Sequence, residues 1–322
     1  MGPLDGCIKG LHHVSVGVDG AQDDIDFCRQ VLGLRLIKST VLFDGRRPVY
    51  HFYYADRVGT AGTVFTTFPW RKIGLQGRRG SGQIKRTVFS APPDSIDFWH
   101  ARLKNAGAAS NGLGERFGQP TVEFQHPSGL DLEIIEAKDD RQPWLGDGVD
   151  DGELALRGLH SVTISVIDLQ TMKEFLTLLG FQQTAEDGKY SRFEIDGGGP
   201  GKRVDLLHEP DLPPGTWTHA IGIPHHFALY CPTEEQQYQI KDHLVGDGYV
   251  DFSELKDRFY FRSIYVRSPS GVLVEIASPT AWMRDESEHQ LGMTLQMPTW
   301  WESRREEFVD NLEPVHLTPP GA

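Results

Sequence analysis

An internal repeat constrains the fold of this chain more than any other feature of its sequence. The segment GLHHVSVGV at 10–18 returns as GLHSVTISV at 158–166. Each copy is followed by a stretch with helical spacing of apolar residues, DDIDFCRQVLGL or TMKEFLTLLGF, that stops at a glycine, Gly33 or Gly180. Strand-like runs come next: LRLIKSTVLF, PVYHFYYAD and TVFTTFPW in the first copy, SRFEID and RVDLLHEP in the second. The repeat therefore predicts a β-α-β-β-β unit.

A second, fainter pair of segments predicts two more such units. KRTVFSAP and SIDFWHARLKNAG, within 85–107, resemble HHFALYCP and QYQIKDHLVGDG, within 225–248, and the matching hairpins HPSGLDLEII and SPSGVLVEIA follow them. We therefore expect an α+β fold of four β-α-β-β-β units. The expected organisation is an N-terminal domain over 1–140 with two units, an Asp- and Gly-rich linker over 141–157, and a C-terminal domain over 158–322 with two units and an extension.

Composition narrows the function classes. The chain has 322 residues and a formal net charge of -13, which argues against nucleic acid or an anionic membrane as its main partner. It has no apolar run of membrane-spanning length and no signal-peptide core at its N-terminus. Its cysteines, Cys7, Cys28 and Cys231, are far apart and form no CxxC pattern, which favours a reducing cytoplasm. The aromatic pair Trp300 and Trp301 near the C-terminus is typical of packing or of a homo-oligomer contact.

Two histidine doublets and one embedded glutamate form the candidate site. His12–His13 and His225–His226 each open a predicted strand, and Glu275 lies in the β-branched run GVLVEIAS. Side chains alternate along a strand, so one histidine of each doublet is expected to face inward, with its neighbour behind or beside it. Two imidazoles and a carboxylate from three strands can hold a divalent metal on one face and leave its other positions open. The simpler alternative is a buried histidine hydrogen-bonded to a buried glutamate.

The faint repeat also places related residues elsewhere in the chain. It aligns Glu133 with Glu275 and Arg86 with His226, so that one copy lacks the imidazole. A salt bridge is therefore expected for Glu133. His51, in VYHFYY, is expected either to line a cavity or to be a hydrogen-bonded core residue.

The chain resembles the vicinal oxygen chelate superfamily, which contains glyoxalases and extradiol dioxygenases. Within it, the chain most resembles the ring-cleaving hydroquinone dioxygenases, including the chlorohydroquinone 1,2-dioxygenases. The resembling segments cover most of the chain in order: LHHVS, AQDDIDF, YHFYYAD with GTVFTTFP, GRRGSGQ, RFGQ with FQHPSG, DLLHEPD with GTWT, IPHHFAL, and DRFYFRSIYVRSPSGVLVEIAS.

The resemblance implies a site and a reaction. The iron(II) ligands would be His13, His226 and Glu275, and manganese(II) accepts the same mixed ligands. A small aromatic diol and O₂ would be the substrates. Around the ligands the resemblance places His12, Ser15 (where threonine is usual), His225, Arg258 and Tyr265. Arg258 would stabilise negative charge on substrate and oxygen, Tyr265 would donate a hydrogen bond, and His12 and His225 would transfer protons near neutral pH.

Three alternatives remain at this point. A catechol-type extradiol dioxygenase would use His160 in place of His13, but the repeat aligns His160 with His12 and Ser161 with His13, on the opposite strand face. A glyoxalase-like isomerase or lyase would use the same scaffold without oxygen, usually with a second glutamate as ligand and base. A binding protein of the bleomycin-resistance type would hold no catalytic metal.

Overall fold

The fold is the predicted series of four β-α-β-β-β units, seen in a computed structural model that describes residues 3–44 and 47–317. The first unit comprises β1 (Leu11–Val18), α1 (Ala21–Asp26) continued by a π-helical turn (Phe27–Val31), β2 (Arg35–Val41), β3 (Tyr50–Ala55) and β4 (Val64–Pro69). The second comprises β5 (Gln83–Ala91), α2 (Ile96–Asn105), β6 (Ser110–Arg116), β7 (Gln119–Gln125) and β8 (Asp131–Glu136).

The second half of the chain repeats this order. The third unit comprises β9 (Gly158–Val166), α3 (Leu169–Leu178), β10 (Gln182–Asp187), β11 (Tyr190–Glu194) and β12 (Arg203–His208). The fourth comprises β13 (Pro224–Tyr230), α4 (Glu234–Gly246), β14 (Lys256–Asp257), β15 (Arg262–Arg267) and β16 (Leu273–Ala277). Three 3₁₀ turns (Trp282–Arg284, Glu288–Gln290 and Glu302–Arg304) and α5 (Arg305–Asn311) complete the described chain, and none of its helices is both long and apolar enough to cross a membrane.

Local sequence explains where the helices of the strong repeat begin and end. The carboxylate of Asp168 accepts a hydrogen bond from the backbone N–H of Thr171 and so caps α3. Gly33 and Gly180 follow the two helices with φ of 68° and 92°, a left-handed conformation that glycine adopts without steric cost. β10 was not among the predicted strands, because its residues, QQTAED, alternate weakly and are mostly exposed.

Each of the two eight-stranded sheets combines one unit from each half of the chain. The first sheet has the order β14-β15-β16-β13-β1-β4-β3-β2, so the first and fourth units meet along the antiparallel pair β1 and β13. The second has the order β10-β11-β12-β9-β5-β8-β7-β6 and joins the second and third units along β5 and β9. The domain bounds drawn from the sequence remain a prediction, and residues 1–2, 45–46 and 318–322 of those domains lie outside the described ranges.

Both central strand pairs contain β-bulges at corresponding positions. On β1, Leu11 pairs with Leu229 and His13 pairs with Ala228, so two steps along β1 match one step along β13. His12 is therefore the extra residue of the bulge. On the partner strand the extra residue is His225. The pair β5 and β9 repeats the pattern, with His160 in the bulge that corresponds to His12. These bulges break the strict alternation of side chains that the sequence pattern assumes.

The C-terminal segment packs over the edge of the first sheet. The N–H of Gln296 donates to the carbonyl of Ser39 on β2, at 2.8 Å. The fully buried ammonium of Lys38 lies 2.7 Å from an oxygen of Asp285 and 2.5 Å from one of Glu286. The indole N–H of Trp301 donates to the carbonyl of Phe43, at 3.0 Å. Packing is therefore the role that the structure gives this tryptophan.

Candidate metal centre

Three adjacent strands of the first sheet bring His13, His226 and Glu275 together. His13 on β1 and Glu275 on β16 are both paired with Ala228 on β13, the strand between them. His226 lies two residues before Ala228 on the same face of β13, because side chains repeat every second residue. The small side chain of Ala228 therefore leaves the space between the other three residues free of bulk.

The ligand atoms of these three residues converge on one point. Nε2 of His226 is 2.8 Å from Oε2 of Glu275 and 3.1 Å from Nε2 of His13, and the remaining distance, from His13 to Glu275, is 3.5 Å. Ligand atoms about 2.1 Å from a shared ion, at right angles to one another, lie about 3.0 Å apart, so these separations suit three adjacent corners of an octahedron. All three side chains are buried.

The buried carboxylate of Glu275 has little else to bind. Neither of its oxygens receives a hydrogen bond of good geometry from the described residues. Burial raises the pKa of Glu275, but the imidazoles of His13 and His226 hold that pKa well below its usual range, so the group is ionised. In a site without water, an ionised carboxylate and two imidazole nitrogens are better stabilised by binding a divalent cation than by contact with one another.

The first histidine of each doublet fixes the orientation of the second. Nδ1 of His13 lies 2.8 Å from Nδ1 of His12, and Nδ1 of His226 lies 2.7 Å from Nδ1 of His225. When the Nδ1–H of His13 or His226 donates across this contact, its Nε2 keeps a free lone pair for a metal, as metal-bound histidines require. The bulges make these contacts geometrically accessible, since strict alternation would put the two rings on opposite faces.

The two supporting histidines differ in one respect from the sequence-based expectation. Burial, and then the neighbouring charge of His13, lowers the pKa of His12 to about 3. Burial, followed by the neighbouring charges of His219 and His226, puts the pKa of His225 well below its usual range. The sequence-based assignment of these two to proton transfer assumed titration near neutral pH; the lowered pKa values favour neutral rings, and the assignment stays a prediction. As neutral imidazoles they act as hydrogen-bond partners.

A cavity opens above the three convergent side chains. Its empty volume, including open solvent at its mouth, is about 460 Å³. Of the residues predicted to surround the ligands, Ser15, His225, Arg258 and Tyr265 line this cavity, whereas His12 lies behind His13.

Arg258 and Tyr265 form one unit on the cavity wall. Nε of Arg258 donates to Oη of Tyr265 at 3.1 Å, and Ser263 Oγ donates to the same oxygen at 3.3 Å. Tyr265 stands level with Glu275 in the register of β15 and β16. Burial lowers the pKa of Arg258, but nearby Tyr265 and Glu275 raise it above its usual value, so the guanidinium remains charged.

Comparison with known proteins agrees with this geometry. The sequence model of the Glyoxalase/Bleomycin resistance protein/Dioxygenase superfamily matches residues 158–276. The chain is 38% identical over 309 residues to the chlorohydroquinone/hydroquinone 1,2-dioxygenase of Sphingobium indicum, covering 95% of this chain and 96% of that protein. It is 34% identical to MhqE of Bacillus subtilis, assigned as a ring-cleaving dioxygenase, covering 94% and 98%. The chain belongs to the ring-cleaving dioxygenases of this superfamily.

Solved structures support the same placement. A crystal structure of a protein assigned as a dioxygenase from Bacillus subtilis matches this dioxygenase with a TM-score of 0.89 and 31% identity, covering 97% of this chain and 99% of that one. Glyoxalase I from Zea mays matches with a TM-score of 0.62 at 13% identity, covering 84% and 92%, which shows the shared fold alone.

Two further histidines of the dioxygenase line the cavity, His51, for which the sequence analysis allowed this position, and His219, for which it did not. His51 lines the cavity, and both of its ring nitrogens are hydrogen-bonded, Nδ1 with the hydroxyl of Tyr53 at 2.9 Å and Nε2 with that of Thr66 at 3.0 Å. It is thus both cavity lining and a satisfied core histidine. His219 also lines the cavity, from a loop with no strand or helix signal. Its adjacency to β13 in sequence was the one available clue.

The second sheet of the dioxygenase contains no equivalent metal site among its described residues. Glu133 is buried and paired with Arg116, whose Nη1 donates to it at 2.5 Å, so the expected salt bridge is confirmed with a different partner from Arg86. His160 lies in this sheet, where its Nε2 accepts from Arg203 at 2.7 Å. The catechol-type combination of His160 with His226 and Glu275 is therefore not brought together.

A second buried cluster has suitable residue types but unsuitable chemistry. Asp24, Cys28 and His126 place one potential ligand atom each within 4.8 Å of the others. Nδ1 of His126 accepts the backbone N–H of Ser128 at 3.0 Å, so the neutral ring must carry its proton on Nε2, the atom that faces Asp24 at 3.2 Å. A metal cannot bind that protonated nitrogen. The cluster is a buried carboxylate held by protein hydrogen bonds.

Proposed function

We propose that this dioxygenase opens the ring of a hydroquinone, unsubstituted or chlorinated, using O₂ and an iron(II) ion held by His13, His226 and Glu275. The observation that carries the proposal is the convergence of these three ligand atoms at the base of a cavity whose wall contains the guanidinium of Arg258. The relative from Sphingobium indicum, which acts on hydroquinone and chlorohydroquinone by its name, supports the substrate class. Manganese(II) accepts the same donor set and is the alternative ion.

The ion and the protein divide the chemistry between them. Iron(II), when bound, supplies the one-electron chemistry that lets dioxygen react with a diol. The protein leaves room for both reactants, because its three ligands occupy one face of the coordination sphere. The guanidinium of Arg258, in the cavity wall, stabilises the negative charge of a deprotonated substrate hydroxyl.

The hydrogen-bond partners of Tyr265 determine what its hydroxyl can do. Its oxygen already accepts from Arg258 and from Ser263, so its own O–H proton is directed to a further acceptor, either Glu275 or a ligand oxygen in the cavity. His225 offers a second donor when its Nδ1 accepts from the Nδ1–H of His226, because its own proton then lies on Nε2. Both groups are neutral donors that orient the substrate oxygen, and neither needs to titrate for that role.

Aromatic rings shape the rest of the cavity. Phe43, Phe68 and Phe261 line it, together with Leu42. A flat, single-ring substrate matches such walls, because aromatic rings pack by offset stacking or edge-to-face contacts. Asp44 is the one further carboxylate among the described lining residues, at the exposed mouth rather than beside the three ligands. The second carboxylate of a glyoxalase-like isomerase has no counterpart at the described base of the cavity.

Oxygen consumption tests this function directly. The protein is purified without oxygen, loaded with iron(II), and mixed with hydroquinone, chlorohydroquinone or catechol, while an electrode records O₂. We expect one O₂ consumed per hydroquinone and weak consumption with catechol. Preference for catechol would contradict the para-diol assignment. No consumption with any diol, despite stoichiometric metal, would favour an isomerase. Glu275→Gln is the control that lacks a metal ligand.

A further inference from the structure

The backbone makes an uncommon turn between two residues of the cavity wall. Arg258 and Phe261 both line the cavity. Between them, the N–H of Tyr260 donates to the carbonyl of Arg258 at 2.7 Å and closes a three-residue turn around Phe259. Phe259 has a φ of 65°. A γ-turn with positive φ at its central residue is rare and strained, and a bulky side chain makes that conformation more unfavourable.

The shape of this turn determines where the side chain of Arg258 begins. The N–H of Arg258 donates to the carbonyl of Phe261 at 2.8 Å across the turn. The side chain then reaches Tyr265, which accepts from Nε at 3.1 Å and whose ring centre lies 5.0 Å from the guanidinium carbon. A change of φ at Phe259 would rotate the chain on either side of it and so shift the guanidinium along the cavity wall.

The C-terminal extension, residues 278–317, supports the turn from outside the cavity. Nη1 of Arg284 donates to the carbonyl of Phe259 at 2.7 Å, and the guanidinium carbon lies 4.3 Å from the centre of the Phe259 ring. The hydroxyl of Tyr260 donates to Asp285 at 2.6 Å. A strained conformation persists only where the surrounding structure holds it, and these contacts are such a restraint.

Arg284 is the support that acts on the strained residue itself. The N–H of Ala281 donates to the carbonyl of Tyr260 at 2.8 Å, one residue beyond the strained position. Arg284, by contrast, contacts both the carbonyl and the ring of Phe259. A planar guanidinium that donates to a carbonyl and stacks on an aromatic face restrains the backbone and the side chain together. No residue of the described extension lines the cavity, so Arg284 can affect a substrate only through other residues.

We propose that Arg284 is a positioning residue, which holds the turn at Phe259 and so places the guanidinium of Arg258 where it stabilises negative charge on the substrate. This inference rests on the proposed function, in which Arg258 has that role. It gives the C-terminal extension a part in the reaction in addition to its packing over the sheet edge. A displaced catalytic group loses much of its effect even when the change lies outside the site.

A double-mutant cycle separates positioning from general destabilisation. Arg284→Met removes the donor and the charge but keeps a flexible side chain, and Arg284→Lys keeps a cationic donor. Arg284→Met is also combined with Arg258→Met. For each iron(II)-loaded protein, kcat/KM with hydroquinone, iron content and thermal unfolding are measured. Arg305→Met is the matched control, because Arg305 lies in the same extension and also donates to a backbone carbonyl, that of Leu295 at 3.1 Å.

The expected effect depends on whether Arg258 is present. Arg284→Met should lower kcat/KM roughly tenfold at unchanged iron content, and Arg284→Lys should recover most of that loss. In the Arg258→Met protein, Arg284→Met should change kcat/KM by less than about twofold, because the group that it positions is already absent. Arg305→Met should leave kcat/KM within about twofold. Unchanged kcat/KM in Arg284→Met, or an equal loss with and without Arg258, would overturn the inference.

Amide hydrogen exchange tests the turn without any substrate. The N–H groups of Arg258 and Tyr260 both donate within the turn, so a loosened turn should exchange them faster. Arg284→Met should therefore raise the exchange rate over residues 257–262, and Arg305→Met should not. Equal exchange rates would overturn the inference and leave the proposed function intact. Failure of the unsubstituted protein to consume oxygen with hydroquinone would overturn the proposed function and this inference with it.

Discussion

Replacing His12 with phenylalanine isolates the role of the histidine doublets. The substitution keeps a buried ring but removes the nitrogen that lies 2.8 Å from Nδ1 of His13. The Nδ1–H of His13 then has no acceptor, and its proton is free to move to Nε2. Because Nε2 faces Glu275 and His226, a proton there competes directly with a metal ion. Metal affinity should therefore fall although no ligand has been removed.

The size of the effect follows from the kind of hydrogen bond that the substitution removes. Deleting the group that hydrogen-bonds a metal-ligating histidine typically weakens metal binding about 10- to 100-fold. That range corresponds to roughly 1.4–2.7 kcal/mol of binding free energy. The larger ring in a packed core should also lower the free energy of unfolding by about 1–3 kcal/mol. A control for this second effect is essential, since a loosened site also loses metal.

The internal repeat supplies that control. His160 occupies the same bulge position in the second sheet, is fully buried like His12, and contacts Ser161 where His12 contacts His13. His160→Phe should lower the free energy of unfolding by a comparable amount and leave metal affinity unchanged. Metal affinity is measured by competition with a chelator, and unfolding by urea titration of the metal-free protein. Equal metal affinity in the two variants would refute the role assigned to His12.

Four further results are expected. Glu275→Gln, which removes the carboxylate charge from the site, should reduce iron content from one per chain to less than a tenth, measured by metal analysis. Arg258→Met should lower kcat/KM about 100-fold at unchanged iron content, because the charge-stabilising group is lost; equal activity would exclude that role. Asp24→Asn should lower the free energy of unfolding by about 2–4 kcal/mol without changing metal content, because Asp24 accepts a hydrogen bond from Tyr54 at 2.7 Å in a buried cluster. Loss of metal in this variant would instead indicate that the cluster of Asp24, Cys28 and His126 binds a metal. Burial raises the pKa of Glu133 to about 7, and the charge of Arg116 opposes this shift. Between pH 4.5 and 7 the folded state therefore binds more protons than the unfolded state, so the free energy of unfolding should fall by about 3 kcal/mol over that range. Glu133→Gln, which cannot titrate, should not show this fall.

The repeat and the doublets made much of this molecule predictable. GLHHVSVGV and GLHSVTISV identified equivalent strands, and their alignment placed His13 and Ser161 in the same position, which the structure confirms. The two doublets and the embedded glutamate suggested that His13, His226 and Glu275 converge, and the family resemblance implied the same three residues. These inferences succeeded because hydrophobic alternation along a buried strand is a strong and local signal.

The contacts that depend on backbone irregularity were not predictable. The bulges at His12 and His225 place neighbouring rings in contact, and no residue in either doublet marks an extra position in the register. The lowered pKa values of these two histidines depend on burial by strands distant in sequence. His219 reaches the cavity from a loop whose path is set by long-range hydrogen bonds of Ile221. Periodicity carries no information about such features.

The pairing of the first unit with the fourth has a consequence for the order of folding. Units two and three are neighbours in the chain, so β5 and β9 can associate as soon as both have formed. β1 must wait for β13, and the two histidines that face each other across that pair are 213 residues apart. Long-range contacts of this kind are slow, because the intervening chain must be closed into a loop first. A metal held there would act as a cross-link between the two ends of the chain, and its complete ligand set would form only after the last unit has docked.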